Sequence, residues 1–185
     1  MSKIGEKPIE IPSNTNVIIE GKKISIKGPL GEMVIELPPV LELVKLENNI
    51  LSVKCLNKEN RKAKSLYGLY RQLIFNALKG VNQYWEKRLK IVGTGYNVKL
   101  DKEDLVFKLG YSHPVVFHKV PGIIFKVEGN NIVIVQGVDK QKVGEVAYQI
   151  KMLKKPDVYK GKGIQYEGEK LRIKPGKKAK TAGAA

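Results

Sequence analysis

The feature that most constrains the fold is an order of strands followed by a helix that occurs twice along the chain. Residues 16 to 56 alternate short apolar runs with turn residues, a pattern that predicts four or five strands. Apolar side chains then recur at helical spacing from residue 63 to residue 78, and Gly80 follows where a helix would end. Strand patterns return between residues 89 and 135, and a second helical stripe runs from Val143 to Leu153. We therefore expect two halves with the same order of elements.

Individual residues indicate that the second half is a copy of the first. Asn48 to Ile50 align with Asn130 to Ile132 at a shift of 82, and Ala63 aligns with Val143 at a shift of 80. Two residues are therefore lost between strand and helix in the second copy. Short apolar strings can align by chance, but the shared order of strands, Asn turn and terminal helix supports a tandem duplication.

The predicted fold class is α+β, with two tandem domains that each pack a small, mainly antiparallel sheet on one helix. We place the first domain at residues 1–82, the second at residues 83–175, and a basic, flexible tail at residues 176–185. The second helix is expected to begin after Asp139 as its N-cap and to stop at Pro156. Domains of this size have small cores, which favours stabilisation by a partner.

Net charge is the first indication of function. The chain carries 34 Lys and Arg against 18 Asp and Glu, a net charge of +16. Half of it lies in residues 151 to 185, which hold 11 basic and 3 acidic groups. This concentration favours a polyanion, with nucleic acid ahead of a membrane surface. A basic chain with few arginines suits the neutralisation of phosphates better than the reading of base edges. An A/T-rich genome would give the same balance of lysine over arginine. The four arginines are Arg61, Arg71, Arg88 and Arg172.

The sequence offers few groups for catalysis or metal binding. Its two histidines are His113 and His118, and Ser112-His113-Pro114 is expected to form a turn or a strand end and not a catalytic dyad. Residues Gly93 to Tyr96 contain two glycines at a spacing similar to that of a phosphate-binding loop. A strand pattern follows them instead of the helix that such a loop needs, which favours a bulge or a close backbone approach. Cys55, the single cysteine, lies in an apolar alternation where a small buried side chain is expected. We predict no catalytic residue, no metal site and no cofactor, and a phosphate-handling enzyme is a weak alternative.

Targeting and membrane signals favour a cytosolic location. No run of about 18 apolar residues occurs, and residues 1 to 6 lack the charged-then-apolar pattern of a secretory signal. Neither predicted helix places its lysines opposite a broad exposed apolar face, which argues against a membrane-surface protein. We therefore expect no membrane partner.

Residues 156 to 164 are the most informative stretch for function. Their glycines alternate with lysines, so the backbone could approach a phosphate ridge while two ammonium groups flank it, and Tyr159 could stack on a base or sugar. The alternative is a flexible basic loop with no defined partner. The predicted RNA-binding residues are Lys154, Lys155, Tyr159, Lys160, Gly161, Lys162, Gly163, Arg172, Lys174, Lys177 and Lys178.

The same stretch resembles the signature of bacterial-type large-subunit ribosomal proteins of the L-six family. That signature is Pro, an acidic or small residue, any residue, Tyr-Lys-Gly-Lys-Gly and an aliphatic residue, and positions 156 to 164 match it throughout. One departure is Asn97, where many members carry a basic residue, so the resemblance does not extend an RNA contact to this position. The other matching segments are Ile4-Gly5, Lys7-Pro8-Ile9, Gly93 to Tyr96, Leu109 to Val115, and Asp139-Lys140-Gln141.

The resemblance implies a structural constituent of the large ribosomal subunit, located in the ribosome in the cytoplasm, with no catalytic activity. It implies binding to large-subunit ribosomal RNA near the base of the acidic stalk and the sarcin-ricin loop, beside neighbouring ribosomal proteins and docking translation factors. The activity would be scaffolding during assembly and support of the factor-binding region. A nucleic-acid-binding protein outside the ribosome would explain the charge but not the signature. Whether the first domain contacts RNA or mainly proteins stays open.

Overall fold

The computed structural model describes residues 3–46, 49–57 and 60–176. Within these residues the chain forms thirteen strands and two helices. It divides into two compact units. The first unit takes the described residues up to Trp85 together with Gly137–Val143, and the second takes Glu86–Gln136 and the described residues from Gly144 onward.

The first unit contains two three-stranded sheets and one helix. Its elements are β1 (Ile9–Glu10), β2 (Asn16–Glu20), β3 (Lys23–Gly28), β4 (Gly31–Glu36), β5 (Leu41–Leu46), β6 (Ile50–Cys55) and α1 (Arg61–Gly80). The sheet orders are β1-β6-β5 and β2-β3-β4, and all of these pairs are antiparallel. The region from 16 to 56 thus forms five strands, in agreement with the apolar alternation. β1 was not predicted, because two residues are too few to give a periodic signal.

The core of the first unit lies between its sheets and one face of α1. The helix begins after Asn60, whose side-chain oxygen accepts a hydrogen bond of 2.9 Å from the backbone N–H of Lys62. Apolar residues at helical spacing then face inward, and Gly80 ends the helix as its position predicts. The buried side chains that meet there include Ile24, Ile26, Leu51, Val53, Ile74, Ala77 and Leu78.

The second unit contains a four-stranded sheet, a three-stranded sheet and most of one helix. Its elements are β7 (Trp85–Val92), β8 (Asn97–Asp101), β9 (Asp104–Lys108), β10 (Val115–Phe117), β11 (Ile123–Glu128), β12 (Ile132–Gly137), α2 (Lys140–Leu153) and β13 (Gly163–Tyr166). The sheet orders are β11-β12-β7-β13 and β10-β9-β8. Six of these strands occupy the positions expected from the sequence, whereas β13 was not predicted.

Helix α2 confirms the predicted N-cap. The carboxylate of Asp139 accepts a hydrogen bond of 2.8 Å from the backbone N–H of Gln141. The apolar stripe is buried at Val143, Val146 and further along the helix. The helix ends at Leu153, before the predicted stop at Pro156, because the residue before a proline is itself disfavoured in the helical region. Neither helix in the described part of the chain is long and apolar enough to cross a membrane.

The strand order supports the predicted duplication. At an offset of 82 residues, β5 and β6 coincide with β11 and β12, and the order β1-β6-β5 corresponds to β7-β12-β11. The order β2-β3-β4 corresponds in the same way to β8-β9-β10. The α+β class is confirmed, although each unit has two small sheets rather than one. β13 has no counterpart in the first unit, so it is an addition to the repeated pattern.

Cys55 differs from its predicted environment. The thiol is only partly buried, at the end of β6, and it donates a hydrogen bond of 3.3 Å to the backbone carbonyl of Asn57. The apolar alternation identified the strand correctly, but the last residue of a strand is covered on fewer sides than its centre.

Candidate nucleic-acid interface

The basic loop, residues 154–163, connects α2 to β13 and is held by hydrogen bonds around Asp157. The carboxylate of Asp157 accepts hydrogen bonds of 3.2 Å from the backbone N–H groups of both Tyr159 and Lys160. The backbone of Asp157 accepts from Gly161 and donates to Lys162, each at 2.9 Å. The acidic position of the signature therefore closes the loop on itself, and the loop has a defined conformation.

Both ends of the basic loop are fastened to regular structure. The backbone N–H of Ile164 donates to the carbonyl of Lys154 at 2.8 Å, which joins the two ends of the loop. β13 then pairs antiparallel with β7, with Ile164 opposite Ile91. The following segment returns to the loop, because the backbone N–H of Lys174 donates to the carbonyl of Val158 at 2.8 Å.

The two glycines of the loop, Gly161 and Gly163, are buried. Gly161 has φ +67°, a left-handed conformation that suits glycine. A Cβ on Gly163 would lie 2.7 Å from the backbone oxygen of Lys155 and 2.7 Å from the Cα of Pro156. The chain therefore needs glycine at position 163 so that β13 can pass this backbone. The sequence-based interpretation missed this internal role, and RNA contact by either glycine stays a prediction.

Most of the predicted RNA-binding side chains are exposed to solvent. Lys154 is partly buried and Tyr159 is 58% exposed. Lys177 and Lys178 lie outside the described residues. The remaining members, all exposed, are Lys155, Lys160, Lys162, Arg172 and Lys174. The loop thus turns its charged side chains outward while its glycines face inward.

Within the described residues, none of these candidate cations forms an ion pair with a carboxylate. Other cations of the second unit do. Lys151 contacts Glu169 at 2.6 Å, and this hydrogen bond is the main cause of a lowered pKa of the Glu169 carboxyl. The guanidinium of Arg88 contacts the carboxylates of Glu86, at 2.6 Å, and Glu128, at 3.3 Å. Arg88 and Lys151 are therefore paired with carboxylates of the protein itself, whereas the candidate cations can bind phosphate without breaking a described ion pair.

Tyr111 positions one candidate lysine and was not included in the predicted site. The ammonium nitrogen of Lys154 lies 4.1 Å from the centroid of the Tyr111 ring. The Tyr111 hydroxyl donates a hydrogen bond of 3.1 Å to the backbone carbonyl of Leu153. Residues 109 to 115 matched the family pattern, but sequence could not show that they lie beside a loop 40 residues away.

The Gly93 to Tyr96 turn joins β7 to β8 and confirms the predicted close approach. The backbone N–H of Tyr96 donates to the carbonyl of Gly93 at 3.3 Å. A Cβ on Gly93 would lie 2.5 Å from the Tyr96 ring, so the aromatic ring is what requires glycine here. The turn thus has a structural explanation that does not involve phosphate. Asn97 follows the turn as the first residue of β8, and its buried side-chain oxygen has no hydrogen-bond partner among the described residues.

Arg71 has a structural role in the first unit. It is buried, at 8% exposure, and its guanidinium donates hydrogen bonds of 3.1 Å to the backbone carbonyls of Lys7 and Pro8. This contact ties the N-terminal segment to α1. Arginine here serves folding, so the count of basic residues overstates the charge available to RNA.

The histidines do not assemble a reactive site. His118 contacts the Asp104 carboxylate at 2.9 Å on an exposed hairpin, and Asp104 also accepts from the backbone N–H of Lys119 at 2.7 Å. The His118 hydrogen bond is the main cause of a lowered pKa of Asp104. Among residues 3–46, 49–57 and 60–176, no three His, Cys, Asp or Glu side chains are grouped so that they could hold a metal ion.

Comparison with known proteins identifies the family. The family model of ribosomal protein L6 matches residues 11–84 and again residues 92–167. The chain belongs to the ribosomal protein L6 family. Because one family pattern matches twice, the comparison also confirms the duplication read from the sequence.

Curated relatives of the L6 family match this chain over nearly its whole length. A protein named large ribosomal subunit protein uL6 from Synechococcus sp. (strain JA-3-3Ab) is 46% identical over 98% of this chain and 99% of its own. A protein of the same name from Acidothermus cellulolyticus is 46% identical over 97% of this chain and 100% of its own. Another, from Halothermothrix orenii, is 41% identical over 96% and 99%. The resemblance to the bacterial-type family is confirmed.

Proposed function

We propose that this chain is a structural, non-enzymatic constituent of the large ribosomal subunit, located in the ribosome in the cytoplasm, that binds large-subunit ribosomal RNA through the basic loop and the segment after β13. Family membership and the names of the relatives support the ribosomal role. The observation that carries the RNA site is the group of exposed cations, none with a carboxylate partner among the described residues, on a loop held by Asp157.

The loop suits a phosphate backbone for two physical reasons. Each lysine that neutralises a phosphate releases a condensed counterion, which favours binding without any sequence reading. The loop is already closed by its own hydrogen bonds, so little conformational entropy is lost when RNA binds. Lys160 and Lys162 supply the charge, Tyr159 can stack on a base, and Gly161 and Gly163 act indirectly by shaping the backbone.

We further propose how this function is distributed along the chain. The second domain, residues 83–175, carries most of the RNA affinity, and the tail at 176–185 continues the contact through Lys177 and Lys178. The support is the charge distribution, since residues 151 to 185 carry half of the net +16. The first domain, residues 1–82, contributes less to RNA binding.

The family resemblance supports a location near the base of the acidic stalk and the sarcin-ricin loop, beside neighbouring ribosomal proteins and close to docking translation factors. In this location the protein would hold RNA segments together during assembly and keep the factor-binding region in shape.

Photocrosslinking with sedimentation tests the proposal. A benzophenone side chain replaces Tyr159, which is exposed on the loop, and in a control variant it replaces the exposed Lys126 of the same unit. We expect the chain to sediment with the large subunit, and the Tyr159 probe to give adducts with ribosomal RNA nucleotides of the stalk base or sarcin-ricin region. The Lys126 probe should give fewer RNA adducts. A chain that sediments free of the subunit and crosslinks to other nucleic acids would instead be a nucleic-acid-binding protein outside the ribosome.

A further inference from the structure

The segment after β13, residues 167–176, carries exposed cations on a backbone without regular structure. Its described residues form no helix and no strand. Between residues 170 and 173 the backbone makes one described hydrogen bond, and that bond lies within the segment. Lys170, Arg172 and Lys174 are all exposed, and none of them has a carboxylate partner in the part of the chain that the structure describes. The path of these cations therefore depends on what holds the two ends of the segment.

The side chain of Glu169 fastens the near end of the segment. Its two carboxylate oxygens accept hydrogen bonds of 2.6 and 2.7 Å from the ammonium group of Lys151, in the last turn of α2. One of these oxygens also accepts a hydrogen bond of 3.0 Å from the backbone N–H of Tyr166, the last residue of β13. The far end is held by the hydrogen bond from Lys174 to the carbonyl of Val158. One carboxylate thus joins the helix, the strand and the segment.

The ion pair between Glu169 and Lys151 is largely enclosed. The two side chains are 28% and 18% exposed, and the Lys151 ammonium nitrogen also lies 4.6 Å from the centroid of the Tyr166 ring. Exposed ion pairs contribute little to stability, because water competes for both partners. Removal of one partner from an enclosed pair costs more, because the remaining charge is left without compensation. Glu169 is therefore a firm attachment point for the chain that follows it.

We propose that Glu169 is a positioning residue for RNA binding. By holding Lys151 and the end of β13 together, it fixes the start of the segment, so that Lys170, Arg172 and Lys174 meet phosphates with little loss of conformational entropy. The inference rests on the proposed RNA function of this segment, and it adds a residue that acts through the cations and not by contact with RNA.

Positioning and net charge predict opposite effects when this carboxylate is removed. By charge alone, loss of an acidic group beside a cation-rich surface strengthens the binding of a polyanion. Loss of the attachment instead frees the segment, so that RNA has to order it again on binding, and affinity falls. The direction of the change in affinity therefore separates the two explanations.

Binding of the full chain to a large-subunit ribosomal RNA fragment at several salt concentrations tests the inference. We expect Glu169→Ala to lower affinity about three- to tenfold. The slope of log affinity against log salt should become shallower by up to about 0.9 for each cation that loses its phosphate. The matched control is Glu167→Ala, which removes one exposed carboxylate two residues away. Glu167 lies 3.9 Å from Arg88, which keeps Glu86 and Glu128 as partners, so this control should bind RNA as tightly as the parent or more tightly.

A double-mutant cycle separates positioning from a general loss of structure. In a variant with Lys170, Arg172 and Lys174 all replaced by alanine, Glu169→Ala has no cation left to position and should not lower affinity further. An equal fall in this variant and in the parent would overturn the inference, because it would show that the whole unit is disturbed. Glu169→Gln keeps the size of the side chain and one acceptor oxygen, so it repeats the test at less risk to folding and should lose less affinity than Glu169→Ala.

The inference and the proposed function can fail separately. If Glu169→Ala and Glu169→Gln bind RNA as tightly as the parent or more tightly, while the triple-alanine variant binds more weakly, the inference is overturned and the RNA role of the segment stands. If the triple-alanine variant itself binds as tightly as the parent, both the inference and the RNA role of this segment are overturned.

Discussion

The two units share one strand order, but their lysines contact different groups. In the first unit Lys23 and Lys27 of β3 each bind a glutamate of β4. In the second unit the basic loop and β13 are additions to the repeated pattern, and Lys160 and Lys162 of that loop have no carboxylate partner among the described residues. We therefore expect lysines without a carboxylate partner to bind phosphate more readily than paired lysines, and a count of lysines alone would not show this difference.

The comparison also distinguishes a buried arginine that stabilises the fold, Arg71, from an arginine exposed on the surface, Arg172. We expect Arg71→Ala to lower the free energy of unfolding by about 3 kcal/mol, because it leaves two backbone carbonyls and a buried space without their partner. We expect Arg172→Ala, at an exposed position, to change stability by less than about 0.5 kcal/mol. Urea unfolding of both variants measures the difference. Equal stabilities would mean that the contact of Arg71 with Lys7 and Pro8 does not hold the N-terminal segment.

Substitution of Gly163 tests whether β13 depends on the point where its backbone crosses close to the backbone of Lys155 and Pro156. We expect Gly163→Ala to destabilise the second unit by about 2 kcal/mol, because its Cβ meets the backbone at Lys155 and Pro156 and cannot move a flexible side chain aside. The control is Gly144→Ala in α2, where a Cβ meets nothing within 4 Å. That change should instead stabilise the protein by about 0.5 to 1 kcal/mol. If both variants unfolded at the same urea concentration, the crossing would not constrain β13.

Cys55 in the first unit should tolerate replacement better than a fully buried cysteine. Its thiol is partly buried and already donates to the carbonyl of Asn57, so a serine hydroxyl finds an acceptor in place. We expect Cys55→Ser to cost about 1 kcal/mol or less, at the low end for burial of a hydroxyl. Thermal unfolding against Cys55→Ala as a reference checks this. A loss of about 3 kcal/mol would show that the site is more enclosed than its exposure indicates.

Tyr111 should affect RNA binding without much effect on folding. Replacing it with leucine removes the ring beside Lys154 and the hydrogen bond to Leu153. A cation over an aromatic ring contributes about 0.5 to 1 kcal/mol at an exposed site, so we expect RNA affinity to fall by a few-fold. Tyr111→Phe keeps the ring and should lose less affinity. Filter binding compares the two variants, and an equal loss of affinity in both would show that the hydroxyl, which both variants lack, matters more than the ring.

The sequence predicted elements well where local pattern decides them. The helix stripes, the cap at Asp139 and most strands come from periodicity and turn residues, which act over a few positions. β13 was missed because residues 163 to 166 form a strand only through their long-range pairing with β7. The buried state of Gly163 depends on the same pairing, so alternation of Gly and Lys was read as an exposed surface.

Interactions between distant residues limited the prediction of the site. Lys23 and Lys160 look alike in sequence, and only strand register places Glu36 opposite Lys23. The contact between Tyr111 and Lys154 likewise joins segments that are far apart along the chain. Residue types therefore located the candidate site, but the partners of each cation required the structure.

Salt dependence of RNA binding tests the central claim most directly. Full-length chain is titrated with a large-subunit ribosomal RNA fragment at several salt concentrations, and Lys160→Ala with Lys162→Ala is compared with Lys23→Ala and Lys27→Ala. Each phosphate contact contributes about 0.9 to the slope of log affinity against log salt, with duplex DNA as the guide. We predict a slope about 1.8 shallower for the loop pair and an unchanged slope for the β3 pair, although both remove two charges. Equal changes in slope, or a loop pair with the parental slope, would contradict the claim that unpaired lysines locate RNA binding.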